Sequence, residues 1–76
     1  PPSGLLERIN ELREEIEIVY GLVMEIEDLT LRYELRTDLL SANASLDYAL
    51  YYYSITDYAN ARLAADYAEE LLNSVK

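Results

Sequence analysis

Apolar residues recur at Leu5, Ile9, Leu12, Ile16, Val19, Val23 and Ile26, at spacings that alternate between four and three. This 3.5-residue period marks a helix that packs lengthwise against another helix. Written as heptads, Ile9, Ile16, Val23 and Thr30 take a positions, and Leu5, Leu12, Val19, Ile26 and Tyr33 take d positions. The pattern predicts a first helix over residues 5–36. Residues 1–4 form a leader in which Pro1, Pro2 and Gly4 oppose helix and Ser3 is a candidate cap. Leu22 and Leu29 lie beside the seam and widen it toward a bundle-type face. Gly21 falls on an outward position.

Near Thr37 the apolar phase slips. The later stripe reads Leu39, Ala42, Leu46, Ala49 or Leu50, then Tyr53. A slip of one residue turns the buried face by about 100°, so a break is predicted around Arg36 to Asp38, with Thr37 or Asp38 as the new helix start. One helix continuing into the fifties is the alternative. A second helix over 38–53 is apolar almost all round, as a helix between neighbours is. Ser54, with Asp57 three residues later, or Thr56 alone then offers a cap for a third helix over 57–75, whose face carries Tyr58, Ala61, Ala65, Ala68, Leu72 and Val75. Strand-like alternation is absent. The fold class is all-α: a long N-terminal helix with a coiled-coil-like seam, and a C-terminal helical hairpin, in a three-helix or dimeric bundle within a single domain.

Polar residues fill the remaining faces. Glu7, Glu11, Glu14, Glu15, Glu17, Glu25, Glu27, Asp28 and Glu34 stand with Arg8, Arg13, Arg32 and Arg36 in a solvated surface. Asp28 and Arg32 have the spacing of an i, i+4 ion pair. Over the 76 residues, 15 acidic against 6 basic side chains give a net charge of −9. A phosphate backbone or an anionic membrane repels such a surface, so neither is expected as a partner. The longest apolar run, Tyr48 to Tyr53, falls far short of the roughly 20 residues of a membrane span. Apolar content of 51% still predicts a folded chain. With no signal peptide and no initiator Met, the chain reads as a piece of a larger protein.

The chemical inventory is thin. The chain has no His, Cys or Trp, so a disulfide or a Cys/His zinc site is excluded. No acid–base residue with a ready cleft and no activated nucleophile is apparent. No enzyme activity, cofactor or metal is expected. All eight aromatic residues are tyrosines, six of them after Asp47, and Tyr33, Tyr51 and Tyr52 are candidates for an interface. The triplet Asp-Tyr-Ala recurs at 47–49, 57–59 and 66–68, a trace of a degenerate hairpin repeat. Asn43-Ala44-Ser45 matches the N-glycosylation pattern, making Asn43 a candidate acceptor.

The lengths turn these readings into a function. At 1.5 Å per residue the first helix spans about 48 Å, and the other two about 24 and 29 Å. A hairpin of the latter pair covers only half of the first helix, leaving much of the seam bare. The expectation is a non-catalytic oligomerisation or protein-interaction module, forming a homodimer through Leu5, Ile9, Leu12, Ile16, Val19, Val23 and Ile26. The alternatives are a monomeric three-helix bundle with a tyrosine-lined ligand pocket, or an accessory helical domain of a larger enzyme or surface protein.

Overall fold

A computed structural model describes residues 4–76. Three helices make up 86% of the described residues, and no strand occurs among them. They are α1 (Leu5–Val23), α2 (Leu29–Ser54) and α3 (Tyr58–Val75). The leader and the Ser3 cap lie outside the described residues, apart from Gly4. Gly4 is the N-cap of α1, in a left-handed conformation with φ 84° that glycine adopts without strain.

The long helix is the second one, not the first. The break lies at Met24–Asp28, about ten residues before the predicted place, and residues 29–36 belong to α2. Asp28 causes it: its Oδ1 accepts from the Leu31 amide at 3.1 Å and caps the new helix. Upstream, the amides of Met24, Glu25 and Ile26 close on the carbonyls of Tyr20, Leu22 and Val23. Thr37 and Asp38 start nothing. The Thr37 hydroxyl donates to the Tyr33 carbonyl one turn back, inside continuous helix. The heptad phase of α1 therefore ends at Ile26, and Thr30 and Tyr33, placed on its continuation, are exposed.

The shorter α1 changes what covers the seam. At 19 residues, α1 is about 28 Å long, and the other two helices reach along most of it. Leu5, Ile9, Leu12, Ile16 and Val23 are buried within one chain, with Val19 and Ile26 half-buried against the same core. The predicted bare half of the seam does not exist. It followed from a 32-residue first helix, and the turn at 24–28 removes its premise.

The α2–α3 hairpin is tight because its contact surface is small. Ala42, Ala49, Ala61, Ala65 and Ala68 are fully buried. The Ser45 hydroxyl donates to the Ala64 carbonyl of α3 at 2.7 Å, a direct reach from side chain to opposing backbone. Leu39, Leu46 and Leu72 fill the remaining space and share one core with the α1 seam residues. Helix α1 runs antiparallel to α2 and parallel to α3. The latter follows from its ion pairs: Arg8 meets Asp66 and Glu69, and Glu15, seven residues on, meets Lys76.

Candidate functional site

Two rungs of ion pairs fix how far α3 reaches. Arg8 Nη2 lies 2.7 Å from Asp66 and 3.1 Å from Glu69, and Glu15 pairs with the Lys76 ammonium. Arg8, Glu15 and Leu22 are spaced by sevens, so they share one row on α1, the row that faces α3. That row meets α3 at Arg8 and Glu15 and extends past it at Leu22, which is 61% exposed. On α2, the row through Ser45, Asp38 and Leu31 behaves the same way. Ser45 touches α3, and Leu31, two heptads earlier, is 43% exposed. Half-buried Val19, Ile26 and Leu35 lie at this level. One end of the molecule is thus a two-helix layer with an apolar face.

A second feature of this end lies on another side of α2. Leu29, Arg36 and Asn43 form a row two residues, about 200°, away from the Leu31 row. Asn43 belongs to the α1 side, where its Oδ1 accepts from Arg13 Nη1 at 2.8 Å, while Arg13 Nη2 reaches Asp47 at 2.7 Å. At the start of this row, Met24, Leu29, Arg32, Tyr33 and Arg36 line a cleft of about 190 Å³. The Arg36 guanidinium carbon sits 5.7 Å from the Tyr33 ring centroid, in cation–π range. Its Nε is buried without a hydrogen-bond partner among the described residues. The predicted Asp28–Arg32 ion pair does not form, because Asp28 is the helix cap and not an interior residue.

The tyrosines divide. Tyr33 and Tyr51 are exposed and Tyr52 is half-buried. Tyr51 and Tyr52 meet edge to face with centroids 5.5 Å apart, and Tyr53 meets Tyr58 across the second turn at 5.3 Å. Ala44, Asp47, Tyr48, Tyr51 and Tyr52 line an open groove of about 530 Å³ on the outside of α2. Asn43, the glycosylation candidate, sits half-buried in mid-helix with its side chain held by Arg13.

Electrostatics at the three-helix end are those of surface pairing. Burial works against the charge of Arg8, but hydrogen bonds to Asp66 and Glu69, with their attraction, outweigh it and raise its pKa. A raised arginine pKa adds stability that is lost only in strongly alkaline solution, so Arg8 stays cationic at any working pH. Among the described residues no three potential metal-ligating side chains cluster, and no helix is long and apolar enough to cross a membrane.

The seam and the tyrosines are legible in the sequence; Leu31 is not, and Arg32 and Arg36 read there only as parts of a solvated face. Their signal was the Asp28 cap, which ends the α1 phase and sets a new one. Comparison with protein-family models, curated proteins and solved structures gives no match to this chain.

Proposed function

We propose that this chain is a non-catalytic helical interaction module that pairs with a second copy through the open end of its bundle. The observation that carries the reading is the exposure of Leu22 and Leu31 on the rows that α3 covers elsewhere. Both are large apolar residues on faces built for helix contact, at the one level where no third helix stands. Two copies facing each other there would supply the missing layer, each covering the other's α1–α2 pair as in a local four-helix, coiled-coil-like bundle. The α1 seam itself is occupied within the chain, which is why the pairing is proposed at the open end instead.

Sedimentation or light scattering at tens of micromolar tests this. The wild-type chain should give twice its 8.7 kDa mass, and the double variant L22E/L31E should give a folded monomer. Because each copy carries a charge of −9, pairing should tighten as added salt screens the repulsion. A concentration-independent monomer for the wild-type chain would refute the reading.

One observation favours a second reading, small-molecule binding: the tyrosine groove has the volume of a ligand site. It is lined by α2 alone and is open, which supports ligand binding less than an enclosed cavity would. Titration of the monomer with a flat aromatic compound, following tyrosine fluorescence, distinguishes the two readings.

A further inference from the structure

The cleft at the α1–α2 turn is chemically unlike the rest of this surface. In a chain with 15 carboxylates, a surface arginine has many neighbours to pair with, and Arg8 and Arg13 do so. Arg32 and Arg36 form no ion pair among the described residues. They stand one helical turn apart, so their guanidinium groups share a side of α2 and both line the same cleft. The carboxylate nearest in sequence with the right spacing, Asp28, is committed to the Leu31 amide. Arg36 is further held by the Tyr33 ring, and its buried Nε carries an unused donor. The Nε itself has no exposed surface, so the terminal nitrogens of the two guanidinium groups are the donors left for an anion in the cleft. Met24, Leu29 and the ring of Tyr33 make the remaining walls apolar.

We infer that this cleft is a binding site for a carboxylate carried on a short apolar body. Two guanidinium groups offer the forked donors that a carboxylate accepts in pairs. The apolar walls select against a small hydrated anion, which would leave them wet. The volume of about 190 Å³ suits one planar or branched apolar group and its carboxylate, and no larger cofactor. The site lies on the Leu29–Arg36 side of α2, away from the Leu31 row, so it is independent of pairing between copies.

The test is an NMR titration of the nitrogen-15-labelled full chain, following the arginine Nε–Hε and backbone amide signals. The probe is phenylacetate, with phenylacetamide, acetate and sulfate in parallel. Phenylacetate should move the Arg32 and Arg36 side-chain signals and the Met24–Arg36 amides saturably, at millimolar concentration. Arg62, exposed on α3, serves as an internal control and should not move. Phenylacetamide should leave the same signals in place, and acetate and sulfate should bind more weakly than phenylacetate. R36Q should abolish the response. R36K, which keeps the charge and loses the fork, should weaken it by about tenfold. Circular dichroism establishes that each variant is folded.

Equal shifts with phenylacetamide would overturn the anion site, leaving only an apolar groove. Equal binding of acetate, or an unchanged response in R36Q, would overturn the proposed walls or the proposed donors respectively. No saturable shift with phenylacetate would overturn the whole inference. Repeating the titration on L22E/L31E separates this inference from the pairing proposal: the monomeric variant should bind phenylacetate as the wild-type chain does.

Discussion

The two ends of this bundle are built from different residues. At the α2–α3 end, five alanines and a serine let two helix backbones approach until a hydroxyl of one reaches a carbonyl of the other. At the α1–α2 end, leucines stand on the corresponding rows with nothing across from them. Small residues at a contact specify one close geometry and leave little room for change. Large exposed residues specify no geometry until a partner arrives. On the proposed pairing, fold specificity resides mostly at the first end, and association at the second.

The largest expected effect sets a buried position of α1 against an exposed one. Ile16→Asp places an unpaired charge where only 5% of the side chain meets solvent, and should cost about 3 kcal/mol or more in urea denaturation followed by circular dichroism. Leu22→Asp, six residues on, should change the stability of the monomer by under about 0.5 kcal/mol while abolishing pairing. Equal costs would erase the distinction between the ends. Next comes overpacking. Ala65 is fully buried where α3 meets α2, so Ala65→Leu must push the helices apart, at about 1–3 kcal/mol in the same assay.

How much of this contrast was legible in the sequence depends on the element. The stripes of α1 and α3 follow from spacing alone, and every buried residue of α3 lies on the predicted face. The phase slip between the first two helices was also visible, but its position was not. Thr37 and Asp38 are as good at starting a helix as Asp28 is, and intrinsic preference does not choose among them. Tertiary packing chooses. A break at 24–28 lets α2 fold back over the seam, whereas a break at 36–38 leaves that seam in water. The open end is not legible for the same reason, because the positions of Leu31 and Arg36 follow only from the corrected phase. The cleft is still less visible, since side chains on neighbouring turns of α2 and on the loop combine only after folding.

The cap that makes this choice is itself testable. Asp28→Ala removes the acceptor for the Leu31 amide and should cost about 1 kcal/mol. Hydrogen exchange should quicken in the first turn of α2 and stay unchanged around Ser45 and Ala64. If helicity instead rises, and Asp28→Ala makes the otherwise monomeric L22E/L31E variant associate, α1 and α2 have merged, and Asp28 is then what keeps the seam inside one chain.

The smallest effect lies at the opposite end and carries the opposite sign. Helix α2 closes with the Thr56 amide on the Tyr53 carbonyl and the Asp57 amide on the Tyr52 carbonyl, at 3.1 and 2.9 Å. This is the paired closure in which the residue after the cap turns left-handed, a place that favours glycine. Here that residue is Thr56, at φ 62°. A β-branched side chain in this region carries strain of about 1 kcal/mol or more. Thr56→Gly removes the strain but widens the freedom of the unfolded chain, which returns much of the gain. The Thr56 hydroxyl lies in solvent and bonds only the neighbouring Ile55 carbonyl, so its loss matters little. The net result should be a stabilisation of about 0.5 kcal/mol, read as a small rise in the urea midpoint at unchanged slope. Pairing should be unaffected, because the substitution lies at the far end from Leu22 and Leu31. A destabilised variant would mean that the turn is held by contacts of Thr56 and not by its backbone bonds.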